Sequence, residues 1–242
     1  MAQTPEEKGK EIAVEADKRD TGWGDSTATL SMILRNQSGA ETTRELQIST
    51  LELLEDGDKS LVVFDTPPDV KGTALLTFSH RAADDDQWLY LPALKRVKRI
   101  ASNNQSGPFM GSEFAYEDLS SQEIDKFTYK YIGDEEANGM PCFVIERVPT
   151  NENSGYTKQV AWLDQAEYRI QKVDFYDRKG DLMKTLTASD YKQYLDKFWR
   201  PGRMEMVNHV TGKSTVLQWK DYQFGAGLSE RDFDQNALKR AR

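Results

Sequence analysis

The feature that most constrains this chain is a long series of short segments in which apolar and polar side chains alternate. The first segment, near 26–34, has apolar residues at every second position, namely Ala28, Leu30, Met32 and Leu34. Successive side chains of a β-strand point to opposite faces, so a period of two predicts a half-buried strand. Turn-forming residues at 36–39 and a second strand-like segment at 41–50 predict an antiparallel hairpin.

Strand-like runs of this kind recur along the chain, separated by turn signals rich in Gly, Pro, Asn and Asp. A series of about ten to thirteen strands does not remain a flat open sheet, so we expect it to curl into a barrel or split into a sandwich. The runs 61–64 and 160–163 are apolar on both faces, which indicates cover on both sides of the sheet. The apolar face changes parity between Ile170 and Val173, which predicts a β-bulge.

Helices are few in the predicted fold. Thr4 can cap an N-terminal helix, with Glu7 three residues later and a narrow apolar stripe following at helical spacing. A second, short helical candidate lies within 112–127, and the sequence at 229–232 is typical of a helix cap. The expected organisation is a single domain, 1–242, with a helix at 5–18, a β meander at 26–224 and a short C-terminal helix at 229–240.

The overall charge and hydropathy exclude several classes of protein. The chain of 242 residues has a formal net charge of -8, which disfavours binding to nucleic acid. No apolar run approaches the roughly 20 residues that a membrane-spanning helix needs. The polar opening of the sequence is typical of an exported protein whose signal peptide has been removed. The single cysteine, Cys142, lies in an apolar run and is expected to be a buried strand residue.

Catalytic and metal-binding patterns are absent from the sequence. Its two histidines, His80 and His209, are not accompanied by the Gly-x-Ser-x-Gly spacing of a serine hydrolase. Acidic residues at 56–58 and 84–86 do not match a calcium-binding loop and fit hairpin tips instead. There is no phosphate loop, dinucleotide fingerprint or zinc cluster. We therefore expect no enzyme, no catalytic residue, no metal and no cofactor.

The segment at 88–118 differs from the rest of this acidic chain. Basic residues are concentrated at its centre: Lys95, Arg96, Lys98 and Arg99. Large apolar residues that the periodicity does not assign to a strand follow them: Phe109, Met110 and Phe114. Two interpretations fit this pattern. One is a solvated basic strand followed by a core loop, and the other is a mobile apolar lip beside a basic rim suited to anionic headgroups or an acidic partner.

A resemblance to a known family rests on this segment. The sequence WLYLPALKRVKRI from Trp88, followed by FMGSEFAYEDL from Phe109, resembles the outer-membrane lipoprotein-sorting protein family within the LolA/LolB-like lipid-carrier superfamily. The resemblance implies an unclosed antiparallel β-barrel of about eleven strands, with helices plugging the concave face. It also implies a location in the periplasm of a Gram-negative bacterium and a lipid or acyl chain as the ligand. Similar members are linked with membrane exporters that move lipids.

The leading hypothesis is a carrier that takes a lipid or lipidated ligand from an inner-membrane exporter and passes it to an outer-membrane acceptor. The alternative is an interaction module that docks a membrane lipid exporter through the basic segment, its hollow filled by its own side chains. An esterase would need a serine or aspartate beside His80 or His209 in a cleft. Lys95, Arg96, Lys98 and Arg99 are the predicted docking rim. The predicted residues of the cavity and lip are Leu30, Met32, Leu34, Trp88, Leu91, Phe109, Met110 and Phe114.

Overall fold

The alternating segments form fifteen strands in the computed structural model, which describes residues 3–240. The outermost residues of the predicted 1–242 domain lie outside this described part. The helices are α1 at Pro5–Arg19 and α2 at Gln235–Arg240. In chain order the strands are β1 Asp25–Arg35, β2 Glu41–Leu51, β3 Lys59–Thr66, β4 Ala74–Phe78, β5 Asp86–Leu91, β6 Arg96–Ile100, β7 Phe127–Ala137, β8 Met140–Pro149, β9 Lys158–Asp164, β10 Ile170–Tyr176, β11 Leu182–Ser189, β12 Lys192–Tyr194, β13 Phe198–Arg200, β14 Arg203–Asn208 and β15 Ser214–Phe224.

Thirteen of these strands form one antiparallel sheet that is not closed into a barrel. From β1 the chain adds strands outward to the edge strand β6, crosses to the opposite edge at β7, and returns strand by strand to β15, which pairs with β1. The other two strands, β12 and β13, pair with each other as a separate hairpin. This architecture confirms the predicted fold class, with more strands in the sheet than the resemblance implies.

Strand alternation divides the apolar side chains between two faces of the sheet. Val62 and Phe64 belong to the main hydrophobic core on the inner face, which also receives α1. Leu61 and Val63, from the same strand, pack into a smaller cluster on the outer face, which Phe233 from the C-terminal segment covers. The predicted cover on both faces is confirmed for this part of the sheet.

Helix α1 begins as its sequence predicts and lies against the inner face at β7. Thr4 Oγ1 accepts a hydrogen bond from the N–H of Glu7 at 3.1 Å, and Glu7 Oε2 accepts one from the N–H of Thr4 at 2.9 Å. Ile12 on the apolar stripe is buried in the main core. The approach is close at Gly9, where an added Cβ would lie 2.6 Å from the backbone nitrogen of Tyr131. Glycine is therefore needed at this contact.

Residues 101–126 connect the two edges of the sheet and are called the crossing segment below. The short helical candidate within 112–127 forms 3₁₀ turns at Tyr116–Leu119 and Ile124–Lys126 and no α-helix. Asp118 Oδ2 accepts a hydrogen bond from the N–H of Ala115 at 2.7 Å, and such local bonds compete with helical ones. Phe114 is only 3% exposed, so the crossing segment fills part of the hollow.

Two local features test the sequence patterns further. The register between β9 and β10 shifts between Ile170 and Lys172, which confirms the predicted bulge. The chain from 198 to 208 does not form one continuous strand, because it is interrupted between β13 and β14. Pro201 has no N–H to donate, and Gly202 approaches the carbonyl oxygen of Asp190 so closely that a Cβ would lie 2.8 Å from it. The β12–β13 hairpin branches off the sheet at this interruption.

Candidate functional site

A cleft of about 660 Å³ lies between helix α1 and the inner face of the sheet. Its walls come from the last turns of α1, the β2–β3 turn, the end of the crossing segment, strands β7 to β10 and the β12–β13 hairpin. Small-molecule sites in proteins commonly occupy roughly 300–1,000 Å³. The cleft is therefore of a size that holds a small ligand or part of a longer one.

The floor of the cleft is apolar because inner-face positions of neighbouring strands meet there. Ile145 of β8 lies beside Ala161 and Leu163 of β9, and Met204 of β14 extends the same surface. Ala16 of α1 also lines the cleft. An apolar lining of this kind favours alkyl chains, because binding removes the hydrocarbon of the ligand from water.

Aromatic side chains and a buried ion pair form the rim near the β12–β13 hairpin. The Arg169 guanidinium lies 4.4 Å from the ring centroid of Trp199, and its Nε donates to Asp164 Oδ2 at 2.9 Å. Burial alone raises the pKa of Asp164, but the hydrogen bonds from Arg169 and from the N–H of Glu167 outweigh it and lower that pKa. The ion pair holds the Arg169 guanidinium over the ring of Trp199. Other aromatic residues of the cleft are Trp23, Tyr129, Tyr168 and Tyr191.

One side of the cleft is acidic and is called the acidic wall below. Burial raises the pKa of Asp58 to about 6 and that of Glu123 to about 7, and neighbouring carboxylates add to both effects. Asp58 accepts hydrogen bonds from the N–H of Leu53 at 3.2 Å and from Ser121 Oγ at 3.1 Å. The wall therefore carries less than its formal charge near neutral pH. Its members are Asp17, Asp20, Glu52, Asp58 and Glu123.

Arg147 is a cation on the apolar inner face of β8, two positions after Ile145. Its Nε donates a hydrogen bond to Gln159 Oε1 at 2.7 Å, and its guanidinium carbon lies 5.0 Å from the ring centroid of Phe127. Burial lowers the pKa of Arg147, because it disfavours the charged form. Arg147 also lines the cleft, so this charge borders the space that the apolar floor creates.

The crossing segment is held in the hollow by buried polar contacts. Glu117 accepts hydrogen bonds from Ser154 Oγ at 2.7 Å and from the N–H of Gly155 at 2.8 Å. The Tyr156 hydroxyl donates to Asp118 at 2.9 Å. Because burial makes broken polar contacts costly, this network anchors the segment to the sheet.

Comparison with known proteins identifies the family. A family model described only as an uncharacterized protein matches residues 56–240. A Vibrio parahaemolyticus domain named for outer membrane lipoprotein sorting is 61% identical, with a TM-score of 0.95, and the match covers 97% of this chain and 99% of that chain. This chain belongs to the outer-membrane lipoprotein-sorting protein family.

Other solved structures extend the comparison of this lipoprotein-sorting family member. A DUF1329 family protein from Desulfovibrio piger is 31% identical, with a TM-score of 0.92, and the match covers 98% of this chain and 100% of that chain. A LolA superfamily protein from Nitrosomonas europaea is 20% identical, with a TM-score of 0.76 and the same two coverages, so the two share a fold. No curated protein matches the chain. None of the helices within residues 3–240 has the length and apolar character needed to cross a membrane.

The cavity residues predicted for this lipoprotein-sorting family member lie elsewhere than the cleft. Trp88 packs on the outer face, with its ring centroid 5.1 Å from that of Phe78. The cleft is lined by other residues, so a ligand-binding role for these eight stays a prediction. The burial of Phe109 and Phe114 favours the core-loop interpretation over an exposed lip. Seven of the eight belong to the inner core or pack against it: Leu30, Met32, Leu34, Leu91, Phe109, Met110 and Phe114.

The predicted basic rim lies at a free edge of the sheet. Arg99 forms an ion pair with Asp86, whereas the other three cations have no ion pair within the described chain. Charged side chains on an edge strand also prevent sheets from joining edge to edge, so a docking role stays a prediction. The exposed cations on or directly before β6 are Lys95, Arg96, Lys98 and Arg99.

The residues that line the cleft were not predicted from the sequence. Arg147 did carry a signal, because it continues the inward alternation of Phe143 and Ile145 and so places a charge on an apolar face. Trp199 and Tyr191 carried no signal of this kind. They belong to a hairpin whose strands, three residues each, are too short to show a period.

His80 lies beside the cleft, in contact with its lining residue Asp56, and His209 lies outside the lining. His80 Nδ1 is 2.7 Å from Asp56 Oδ2, and His80 Nε2 is 3.5 Å from Asp86 Oδ2. His209 Nε2 is 2.8 Å from Thr185 Oγ1. Among the residues that the structure describes, neither histidine lines the cleft.

Proposed function

We propose that this chain is a periplasmic carrier that binds a lipid or a lipidated ligand as a single LolA-like domain. The observation that carries the proposal is the cleft, whose apolar floor of Ile145, Ala161 and Leu163 is bordered by polar walls. An amphiphile has the matching chemistry, with an alkyl chain for the floor and a polar head for the walls. In this proposal the ligand comes from an inner-membrane exporter and passes to an outer-membrane acceptor.

Two further considerations support the proposal. The relative that is 61% identical is named for outer membrane lipoprotein sorting, which points to lipidated cargo. Burying an alkyl chain contributes about 0.8 kcal/mol per methylene, so a long chain bound along the floor offsets the loss of mobility on binding. The proposal includes no catalytic step, because neither His80 nor His209 is among the described residues that line the cleft.

Lipid analysis of the purified protein tests this function directly. Native mass spectrometry and organic extraction are expected to reveal a co-purifying amphiphile, and the delipidated protein is expected to take up the neutral dye Nile red. Ala16→Trp places a large ring in the cleft from α1 and should reduce uptake. Val14→Trp is the matched control, because Val14 is 43% exposed on the same helix and does not line the cleft. Equal uptake by both variants would place the ligand elsewhere.

A second candidate function is docking to a membrane lipid exporter through β6. It is favoured by the exposed side chains of Lys95, Arg96 and Lys98, which have no ion pair among residues 3–240. Replacing all three with glutamine should weaken binding to exporter-containing membranes without changing uptake of Nile red. If membrane binding is unchanged, the charges serve only to protect the sheet edge.

A further inference from the structure

Among the arginines that line the cleft, Arg147 is the one without an ion pair to a carboxylate in the described chain, and the carboxylate of Asp118 acts on it only from beyond ion-pair distance. Arg19 pairs with Glu15 at 2.8 Å, and Arg169 pairs with Asp164 at 2.9 Å. The remaining three cations of the cleft also have acceptors: Arg81 near Glu123, Arg200 with Asp20, and Lys197 with the carbonyl oxygen of Thr21. Arg147 has no ion pair within the described residues, and Gln159 is its only hydrogen-bond acceptor there.

An unmatched charge on an apolar face is costly to the folded protein. A guanidinium carries five N–H donors, and only the Nε–H of Arg147 has an acceptor among residues 3–240. The ring of Phe127 provides partial compensation through its face. The donors on its two terminal nitrogens have no protein acceptor among residues 3–240, and Arg147 is one of the residues that line the cleft. A bound anion would supply the missing charge and the missing acceptors together.

We propose that Arg147 binds the anionic headgroup of the amphiphile, a carboxylate or a phosphate, while the chain lies along Ile145 and Ala161. This inference rests on the proposed carrier function and names the chemical class of its ligand. The planar fork of arginine matches the paired oxygens of both anions. The partly buried position of Arg147 strengthens the contact, because water screens electrostatic interactions less there than in bulk solution.

The acidic wall supports this position for the headgroup. An anion bound beside Glu52 or Asp20 would meet like charges, which is unfavourable. No member of the wall forms an ion pair with Arg147 in the described part of the chain. The cleft therefore offers an anion a favourable place at Arg147 and an unfavourable side at the acidic wall.

Three probes with the same alkyl chain test the inference: dodecanoic acid, dodecyl phosphate and dodecanol, each measured by displacement of Nile red. The wild-type protein is expected to bind at least one anion roughly 10- to 100-fold more tightly than the alcohol, as one or two charged hydrogen bonds provide. Arg147→Gln should remove this difference, and Arg147→Lys should retain part of it. The two anions together show whether a carboxylate or a phosphate is preferred.

Arg35→Gln is the matched control, because it removes an arginine that is paired with Glu41 at 2.7 Å and does not line the cleft. It should leave the preference for the anion unchanged.

Equal binding of the acid, the phosphate and the alcohol to wild-type protein overturns the inference but leaves the carrier function standing. An anion preference that persists in Arg147→Gln also overturns it. If neither Nile red nor any alkyl probe binds the wild-type protein, the proposed function itself fails. If Arg147→Gln does not fold, the comparison of the three probes on the wild-type protein and on Arg147→Lys still tests the inference.

Discussion

The ammonium group of Lys184 lies 3.4 Å from the carboxylate of Asp118, and each side chain is less than one-tenth exposed. Asp118 belongs to the crossing segment and Lys184 to β11, so the pair joins the segment that fills the hollow to the wall of the sheet. Lys184 also donates to the carbonyl oxygen of Glu113 at 2.9 Å. The contact fixes the crossing segment at two points along its length.

Removing the lysine from this pair should destabilise the protein strongly. Lys184→Met leaves the carboxylate of Asp118 buried without its cation, and we expect the free energy of unfolding to fall by about 3–5 kcal/mol. Urea denaturation measures the change. Lys158→Met is the control, because its ion pair with Glu146 is 38% and 27% exposed and should contribute less than about 1 kcal/mol. Similar losses in both variants would show that the buried pair has no special role.

The close contact between α1 and β7 provides a second prediction. Alanine is a better helix former than glycine by about 1 kcal/mol, yet a Cβ at Gly9 would lie 2.7 Å from the backbone carbonyl carbon of Lys130. We expect Gly9→Ala to lower the free energy of unfolding by about 1–3 kcal/mol because the helix must move away from the strand. Thermal unfolding measures it, with Val14→Ala on the exposed side of α1 as the control. A more stable Gly9→Ala protein would refute the close approach.

The acidic wall makes stability depend on pH. The folded-state pKa values of Asp58 and Glu123, about 6 and about 7, lie above those of the unfolded chain, near 4. The folded protein therefore holds these protons more tightly. Their contribution to stability is fully present below about pH 4, declines as the pH rises to about 7 and is lost above it, by on the order of 2 kcal/mol for each carboxyl group.

Asp58→Asn tests this pH dependence. The variant cannot ionise at this position, so its free energy of unfolding should fall less steeply between about pH 4 and pH 7 than that of the wild type. Urea denaturation across that range measures the slope. Glu55→Gln, an exposed carboxyl group in the same turn, should leave the wild-type slope unchanged. An unaltered slope in Asp58→Asn would mean that this carboxyl group ionises as it does in the unfolded chain.

The strands of the sheet could be predicted because the patterns that identify them involve residues close together in the sequence. Alternation at Leu30 and Met32 identified one apolar face of β1, and the change of parity after Ile170 identified the bulge in β10. The Thr4 and Glu7 pair fixed the start of α1 in the same way. Each of these features depends on residues within a few positions of one another, so the sequence contains the whole pattern.

The cleft was not predictable by the same means. Periodicity shows which side chains share a face but does not show which parts of that face remain uncovered. The crossing segment adds Phe109 and Phe114 to the core that holds Leu30 and Met32, whereas Ile145 and Ala161, although buried, line the cleft. Which strands remain uncovered depends on where the crossing segment packs in the folded protein. The alternation of side chains along the strands does not predict this position.

Trp88 distinguishes the predicted cavity from the observed cleft. It lies in the outer cluster with Leu76 and Phe78, on the side of the sheet opposite the cleft. We expect Trp88→Ala to lower the free energy of unfolding by about 2–3 kcal/mol, because apolar contacts are lost. Uptake of Nile red by the folded fraction should stay at the wild-type level, whereas Ala16→Trp should reduce it without a comparable loss of stability. Titrating both variants with the dye well below their unfolding temperatures separates the two effects. Reduced uptake by folded Trp88→Ala would instead favour a ligand site on the outer face, as the sequence-based assignment of Trp88 requires.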